Sequence, residues 1–305
     1  MKLDPRHLAQ LSVIVEAGSF QAAATRLGTT QPALSRNMKA LEARLGSPLF
    51  QREGRRAVPT ELARRLASKG HAIRLAEEQA GILAGQAAAG VIGYLRIGAP
   101  PIVAGRFLTD TLSRFIKSNP LCSVALRTGL VHELRSMLER GEVDVVIGPR
   151  SLADPVDGLV FTFLIDDRVG VLCRAGHPLA SRGTVLAADL EAQLWLAHSR
   201  GSLLRQQTEA AMIASGVRSM RIACETDSIR SVFEIIAATD LITTMPRATT
   251  APYLGDRLVF LSFDHPEFGR PLGVIHRRGH VPTRLERDYL ALLSREAMAR
   301  APAAR

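Results

Sequence analysis

GSFQAAATRLGTTQPALSR, residues 18–36, is the stretch that decides how the N-terminal part of this chain folds. Gly18 can close a helix in the left-handed conformation, and Ser19 can accept hydrogen bonds from the free amides of the helix that follows. Apolar residues at positions 20, 23, 24 and 27 then share one helical face until Gly28. The stretch therefore predicts a helix of barely three turns between two glycine breaks.

A second helix is predicted to begin three residues after Gly28. Thr30 is its expected N-cap, and Pro32 lies in the first turn, where its missing amide costs nothing. Its buried stripe comprises Leu34, Met38, Leu41 and Leu45, and its other face carries Gln31, Ser35, Arg36 and Lys39. Two short helices joined by a tight turn, the second with a polar face, predict a helix-turn-helix that enters a major groove. An ordinary helical hairpin with a solvated face is the alternative.

The residue types on this polar face suit contact with DNA. Gln31 and Ser35 can hydrogen-bond base edges, whereas Arg36 can contact guanine or a phosphate. A first helix containing Leu8, Leu11, Ile14 and Val15 completes a three-helix core. After Leu49-Phe50, a hairpin turning at Gly54 is expected to project Arg52, Arg55 and Arg56 as a basic wing. The alternative is that these arginines are merely solvated.

The charge of the chain is concentrated in this N-terminal part. The formal net charge is +10, and residues 1–60 carry nine Lys or Arg against four Asp or Glu, which is half of the excess. The remainder is nearly balanced, and 47% hydrophobic residues with 22% charged residues are typical of a globular protein. These numbers predict a small polyanion-binding domain joined to a larger body.

Other features limit the class of protein. The N-terminus lacks the apolar segment of a signal peptide, and no run of about 18 uninterrupted apolar residues occurs, so we expect a cytoplasmic protein with no membrane partner. Cys122, Cys173 and Cys224 lie far apart, which argues against a disulfide framework and against a zinc site. No metal ion or cofactor is predicted.

A long helix follows the predicted wing. Thr60 is its expected cap, and a 4,3,4,3 alternation from residue 62 to residue 87 is typical of a coiled-coil seam. The seam residues are Leu62, Leu66, Lys69, Ile73, Ala76, Ala80, Leu83 and Ala87. Because several are alanine and one is lysine, a dimer would need further contacts elsewhere. Packing on its own chain is the less favoured alternative, and residues 88–93 are expected to form a hinge.

From Tyr94 onward, short apolar runs alternate with amphipathic segments. The runs lie at 94–98, 122–127, 143–147, 169–173, 194–197, 220–224, 241–244 and 271–275, and the helical segments at 104–118, 131–140, 202–215, 228–238 and 282–299. This alternation predicts parallel sheets flanked by helices in a two-lobed α/β body, with Asp166-Asp167 at the crossover between lobes. Ligands of such sheets bind beyond the carboxyl ends of the strands, so a cleft is expected there.

The assembled pattern resembles the LysR-type transcriptional regulators. The residues that carry the resemblance are Gly18-Ser19-Phe20, Ala23-Ala24, Leu27, Gln31-Pro32-Ala33-Leu34-Ser35, Leu41-Glu42, Leu45-Gly46, Leu49-Phe50, Arg52 and Thr60. The resemblance is dense over residues 1–65, and beyond residue 92 it depends on length, strand order and Gly148.

The resemblance implies a multidomain α plus α/β protein in three parts. These are a winged helix-turn-helix DNA-binding domain at 1–59, a dimerising linker helix and hinge at 60–91, and an effector-binding domain at 92–305 that is similar to periplasmic binding proteins. Lobe I would span about 92–165 and 267–300, and lobe II about 166–266. The family assembles as homodimers or homotetramers on dyad promoter sites, with RNA polymerase as a further candidate partner, and a small organic co-inducer changes the bending of the DNA.

Two sets of contacts follow from the resemblance. The DNA contacts would be Gln31, Pro32, Ser35, Arg36, Lys39, Arg52, Arg55 and Arg56. The effector contacts would be Pro100, Pro101, Ile102, Thr128, Gly129, Gly148, Pro149, Arg200, Ser202, Thr226 and Ser228. Many relatives have a hydroxyl residue where this chain has Pro100-Pro101, which removes two amides and offers no hydroxyl, so the first loop is expected to be more apolar.

Three alternatives to an effector-controlled regulator remain. Enzymes are disfavoured because the sequence lacks a GxSxG elbow, a P-loop, a GxGxxG after a strand and an HExxH motif. A solute-binding protein matches the body alone and would need an export signal. A redox-sensing regulator could use Cys224, which precedes a helix start, although Glu225 and Asp227 oppose a lowered thiol pKa.

Overall fold

A computed structural model describes residues 2–53, 56–88, 93–154 and 158–300 of the chain. Its described residues fall into two compact units, the first made mainly from the chain before residue 93 and the second from the chain after it. Each unit has its own buried apolar cluster.

Three helices begin the smaller unit: α1 (Pro5–Ala17), α2 (Phe20–Arg26) and α3 (Gln31–Leu45). Gly18 ends α1 at a φ of 68°, and the Ser19 hydroxyl accepts a hydrogen bond of 3.1 Å from the amide of Ala22. The predicted break between the helices is therefore confirmed. Gly28, at a φ of 60°, separates α2 from α3.

The core of this unit lies between the three helices. Leu11, Leu34, Met38 and Leu41 are at most 2% exposed. The apolar face predicted for the second helix ends one residue earlier than its spacing suggests, since Leu27 is 37% exposed. It follows α2 as the C-cap, where the backbone has already left helical geometry. Thr30 precedes α3 as predicted, but its side chain makes no capping hydrogen bond to the described residues of that helix.

The predicted hairpin is present as β1 (Phe50–Glu53) and β2 (Arg56–Pro59), paired antiparallel. Glu42 of α3 fixes its start, because one carboxylate oxygen accepts hydrogen bonds from the amides of Leu49 at 2.7 Å and Phe50 at 3.3 Å. The ring of Phe50 lies 4.9 Å from that of Phe20. Gly54 and Arg55, the tip of the predicted wing, lie outside the described residues.

A long helix, α4 (Glu61–Ala88), completes the smaller unit. The Thr60 hydroxyl accepts from the amide of Ala63 at 3.2 Å, so the predicted cap is confirmed. Ala63, Ala67 and Gly70 are buried against α1.

The expectation that α4 does not pack on its own chain was wrong for its first half. Of the predicted seam, Leu66 and Ile73 pack on the same core, whereas Leu62 and Lys69 are exposed. The packing of α4 on α1 is possible because the residues at 63, 67 and 70 are small and let the two helix backbones approach. The side chains of Leu83 and Ala87 and the hinge residues 89–92 lie outside the described residues.

In the larger unit, we call the elements around its five-stranded sheet lobe I. The strands are β3 (Gly93–Ala99), β4 (Cys122–Thr128), β5 (Val145–Pro149), β6 (Leu159–Asp166) and β12 (Pro271–Arg277), in the order β4-β3-β5-β12-β6. The helices are α5 (Arg106–Ser118), α6 (Val131–Arg140) and α11 (Arg284–Arg300). β3 pairs parallel with β4 and β5, and β12 pairs antiparallel with β5 and β6.

Lobe II comprises the elements between β6 and β12. Its strands are β7 (Val169–Arg174), β8 (Leu194–Ala197), β9 (Arg221–Glu225), β10 (Thr243–Pro246) and β11 (Leu258–Phe260). Its helices are α7 (Ala187–Glu191), α8 (Leu203–Ala214), α9 (Ile229–Ala238) and α10 (Arg247–Thr250). β10 and β11 flank β7 antiparallel, whereas β8 and β9 are parallel.

The α/β alternation is thus confirmed, but the prediction of parallel sheets was wrong. The sheet of lobe I is mixed, because β12 returns from lobe II in the opposite direction to β5, and lobe II combines an antiparallel three-stranded sheet with a parallel pair. β6 and β11 were not predicted, and the run predicted at 143–147 forms a strand only from Val145. Within the described ranges, no helix has the length and apolar character needed to cross a membrane.

Candidate DNA-binding surface and effector cleft

The predicted recognition surface is the N-terminal half of α3. Gln31, Pro32, Arg36 and Lys39 are exposed and Ser35 is half-buried. The opposite side of α3 is buried in the core. The side-chain amide of Asn37 donates a hydrogen bond of 2.8 Å to the side-chain oxygen of Gln10 in α1. The polar side chains are therefore presented on a helix whose other side is packed in the core, an arrangement that suits base recognition.

The hairpin supplies the second part of this surface. Arg52 lies in β1 opposite Ala57, and Arg56 lies in β2 opposite Glu53. The backbone of both arginines is described, whereas their side chains and the whole of Arg55 lie outside the described residues. Because Glu42 of α3 accepts hydrogen bonds from the residues that begin the hairpin, the position of β1 and β2 depends on that of α3.

A cavity of about 70 Å³ lies between the two lobes. Its lobe I wall is apolar and consists of Pro100, Pro101, Ile102, Gly129, Leu130, Val131 and Pro149. Its lobe II wall adds polar groups and consists of His198, Ser202, Leu203, Leu204, Asp227, Ile229 and Met245, with Arg270 from the second crossover. A mostly apolar lining with a few polar groups is typical of a small-molecule site.

Burial controls the charge of the polar groups in this wall. His198 is 6% exposed, and burial lowers its pKa below 6.5, although Asp227, whose carboxylate is 4.0 Å from Nδ1, opposes the shift. Burial raises the pKa of Asp167 and lowers that of Arg270, and each charge partly offsets the effect on the other. The guanidinium Nη1 of Arg270 lies 3.3 Å from Asp167 Oδ2.

The predicted effector contacts divide into two groups. Those in the cavity wall are Pro100, Pro101, Ile102, Gly129, Pro149 and Ser202. Those outside it are Thr128, Gly148, Arg200, Thr226 and Ser228. Local hydrogen bonds explain two of the latter, because Ser228 caps α9 by accepting from the amide of Ser231, and the Thr226 hydroxyl accepts from the amide of Ser228.

Sequence reasoning missed two polar groups of the wall, His198 and Arg270. His198 directly follows the predicted strand at 194–197 and directly precedes the loop at 199–202, which contains the predicted contacts Arg200 and Ser202. Asp227 lies in the segment 226–228 that the resemblance predicts to line the site, although Thr226 and Ser228 were the contacts expected there. Arg270 belongs to no motif, and its only signal is a lone arginine immediately before an apolar strand.

The cysteines lie on strands of three different sheets: Cys122 on β4, Cys173 on β7 and Cys224 on β9. All three are free thiols. Burial raises the pKa of Cys173 to about 11, which keeps it protonated and poorly reactive. A redox role for Cys224 stays a prediction.

Comparison with known proteins identifies both parts of the chain. Residues 5–64 match the family model described as bacterial regulatory helix-turn-helix protein, lysR family, and residues 88–298 match the LysR substrate binding domain. The regulator GbpR of Azospirillum brasilense is 30% identical over 250 residues, which are 81% of this chain and 72% of that protein. The regulator PcaQ of Agrobacterium fabrum is 28% identical over 91% of this chain and 90% of its own length.

Solved structures show the same fold. A full-length OxyR from Pseudomonas aeruginosa, solved as a cysteine-to-aspartate variant, has a TM-score of 0.64 at 19% identity, covering 100% of this chain and 99% of that one. Full-length CbnR complexed with its target DNA has a TM-score of 0.63 at 22% identity, covering 98% of this chain and 100% of that one. The chain therefore belongs to the LysR family of DNA-binding transcriptional regulators, with a helix-turn-helix domain followed by an effector-binding domain.

Proposed function

We propose that this regulator recognises its operator with Gln31, Ser35 and Arg36 of α3. Pro32 and Lys39 flank these contacts, and Arg52, Arg55 and Arg56 of the hairpin bind phosphates or the minor groove. The observation that carries the proposal is the exposure of this polar face on a helix whose other side is fully packed. Base contacts would then provide selectivity, and the cations would provide most of the affinity through counterion release.

The effector of this proposal binds in the cavity between the lobes. A small molecule there would touch the prolines of lobe I and the polar groups of lobe II together, so its affinity depends on how the lobes are arranged. A ligand that prefers one arrangement shifts the population toward it. In an oligomer, that shift would change the spacing of the DNA-binding domains and so the bending of the DNA.

The oligomer of this proposal is a homodimer or homotetramer. Leu62 on α4 is 38% exposed and lies on the predicted seam, next to the face that packs on α1. A second copy of α4 is the partner that this alternation suits. Light scattering of the purified chain should give the mass of a dimer or tetramer, and a monomer would contradict the proposal.

In this proposal, the cleft binds its ligand without converting it chemically. The protein acts in the cytoplasm, where its DNA is. The curated relatives that it matches are transcriptional regulators. Incubation of any ligand with the protein, followed by mass spectrometry, should return the ligand unchanged.

The test of DNA recognition is a titration of the full chain against the intergenic DNA beside its own gene. Fluorescence anisotropy should show binding about a thousandfold or more tighter to this fragment than to a shuffled duplex of equal length. Equal affinities would contradict the proposal.

A further inference from the structure

A second cavity, of about 300 Å³, lies within lobe I between the sheet and α11. It shares no lining residue with the cleft between the lobes. An apolar cavity of about 150 Å³ is enough to hold benzene. The cavity in lobe I therefore has room for a small ring compound, and none of the DNA or effector contacts proposed above belongs to its wall.

The floor of this cavity is apolar and belongs to three neighbouring strands. Val145 of β5, Leu164 of β6 and Val274 of β12 are buried and line it. Ala291 and Ser294 lie three residues apart on α11, so they share the helical face that covers this floor. Because both side chains are small, the helix does not fill the space above the sheet. The body of a ligand would thus pack on apolar surface.

Two histidines at or near the end of β12 add polar groups to the wall. His276 Nδ1 lies 2.9 Å from the carbonyl oxygen of Arg277, and His280 Nε2 lies 2.9 Å from a carboxylate oxygen of Glu286. Carbonyl and carboxylate oxygens accept hydrogen bonds, so each of these ring nitrogens carries a proton. In the neutral rings the remaining nitrogens, Nε2 of His276 and Nδ1 of His280, are acceptors. Neither has a hydrogen-bond partner among the described residues.

The partners of the protonated nitrogens keep both rings in place. Glu286 is 1% exposed and also accepts from the amide of Thr283 at 2.9 Å. Turning His280 away would therefore leave a buried carboxylate with one hydrogen bond fewer. The two histidine rings lie 5.9 Å apart between centroids. Side chains that are held by such outer partners are typical of a binding site.

The hydrogen-bonding groups of the wall favour a hydroxyl group over a carboxylate. Arg287 is exposed at the wall, and its Nη1 donates to the carbonyl of Pro282 at 2.7 Å, which leaves further N–H groups for a ligand. A carboxylate would bring only acceptors to the acceptor nitrogens of His276 and His280. A hydroxyl group can donate to a ring nitrogen and accept from Arg287 at the same time. The wall therefore suits a neutral ligand that carries a hydroxyl group on an apolar ring.

We propose that lobe I holds a second ligand site, which binds a phenol whose ring packs on the apolar floor and whose hydroxyl group donates to His276 or His280 and accepts from Arg287. The proposal does not depend on the function proposed above, because the cavity lies apart from the cleft and from the DNA-binding surface. The strands β6 and β12, which form part of the floor, lead into the two crossovers between the lobes. A ligand bound here would stabilise those strands and act as an input separate from the cleft.

The test compares phenols with their methyl ethers, which have the same ring but no O–H donor. Ligand-observed NMR titrations of the full chain give the dissociation constants of phenol against anisole and of 3-methylphenol against 3-methylanisole. Each phenol should bind about two- to tenfold more tightly than its ether, which is the gain expected from one hydrogen bond. Benzoate tests the anionic alternative. Equal binding of phenols and ethers, or tighter binding of benzoate at this site, would overturn the proposal.

Substitutions on α11 locate the binding. Ala291→Leu fills the cavity from an exposed position and should abolish binding of the phenols, with circular dichroism to check that the chain is folded. Ser294→Leu fills the other small position and should have the same effect. Arg295→Leu is the matched control, because Arg295 is exposed on α11 outside the cavity wall, and it should leave binding unchanged. Phenol binding that survives both filling variants would contradict the site.

Substitutions of the histidines test the role of the hydroxyl group. His276→Phe keeps a flat ring and removes the acceptor nitrogen. His280→Phe is made together with Glu286→Gln, so that no buried carboxylate loses its partner. At least one of these variants should lose the preference for phenol over anisole while still binding anisole. His132→Phe, at an exposed position of α6 outside the wall, is the control. A preference retained in both variants would contradict the assignment of the hydroxyl group.

Discussion

Gly70 of α4 lies directly against the backbone of Leu8 in α1, so closely that a methyl group on Gly70 would overlap the Leu8 carbonyl. Ala67 and Ala63, one and two turns earlier, are buried on the same side. This stripe of small residues fixes the long helix to the DNA-binding domain. The start of α4 is therefore part of the folded DNA-binding domain.

The first prediction concerns that contact. Gly70→Ala should destabilise the DNA-binding domain by about 1–3 kcal/mol, because the obstacle is backbone and cannot rotate away. Gly81→Ala is the matched control on the same helix, where a methyl group would meet nothing within 4 Å, and it should stabilise by about 0.5–1 kcal/mol. Urea unfolding followed by helical circular dichroism measures both. Equal effects of the two substitutions would refute the close approach.

The second prediction concerns Glu42, which connects the recognition helix to the hairpin. Glu42→Ala leaves the amides of Leu49 and Phe50 without their acceptor and should cost about 1–3 kcal/mol, while weakening DNA binding through displacement of the hairpin. Glu42→Gln keeps an acceptor oxygen and should recover most of both losses. Unfolding and anisotropy measurements on the two variants provide the comparison. Loss of DNA affinity in Glu42→Gln equal to that in Glu42→Ala would show that its charge matters rather than its hydrogen bonds.

The third prediction is a dependence of stability on pH. His177 is 3% exposed, its Nδ1 accepts from the amide of Leu179 at 3.0 Å, and its Nε2 lies 3.3 Å from the carbonyl oxygen of Asp240. This arrangement needs a neutral ring, and burial lowers its pKa below 6.5. The unfolded chain takes up the proton first, so stability is present above pH 6.5 and is lost as the pH falls below it.

The slope of that loss is at most about 1.4 kcal/mol per pH unit for each such histidine. His177→Asn keeps an acceptor for Leu179 and cannot titrate, so its unfolding free energy should fall less between about pH 7 and pH 5 than that of the wild type. Chemical unfolding at a series of pH values measures the difference. Parallel curves for both proteins would show that His177 is not buried in its neutral form.

The fourth prediction concerns the salt dependence of DNA binding. If Arg52 and Arg55 each contact a phosphate as proposed, replacing either by alanine should lower the slope of log affinity against log salt by about one. Arg218→Ala is the control and should leave the slope unchanged, since the Arg218 side chain is 90% exposed in the larger unit. Anisotropy titrations over a range of salt concentrations give these slopes. An unchanged slope for both hairpin variants would show that neither arginine contacts a phosphate.

The smaller unit was largely predictable because its signals act over one helical turn. Gly18 ends a helix and Ser19 caps the next within four residues, and Thr60 does the same for α4. The end of α2 was predicted one residue too late, because the apolar spacing continues to Leu27 although the helix ends at Arg26. The contact of α4 with α1 was not predicted, because small residues give no hydrophobic signal in the sequence. They are nevertheless the residues that permit close packing of two helices.

The larger unit was less predictable because its geometry depends on distant pairings. β12 enters the sheet between β5 and β6, and only that non-local choice makes the sheet mixed. Strand ends placed six of the eleven predicted contacts in the cleft wall. The sequence does not show that Ser228 is occupied in capping α9. Arg270 was missed since it reaches the cleft from the second crossover, and no local pattern indicates where a crossover leads.

The central claim is that the polar face of α3 selects a DNA sequence. The most direct measurement is selection of bound duplexes from a random library by the full-length chain, compared with a variant carrying Ser35→Ala and Arg36→Ala. Arg44→Ala, an exposed cation in the last turn of α3, serves as the control. The account predicts that the wild type and the control enrich the same dyad-symmetric sequence, whereas the double variant loses about 1–3 kcal/mol of discrimination for each base contact removed. Enrichment of the same sequence with the same strength by the double variant would contradict it.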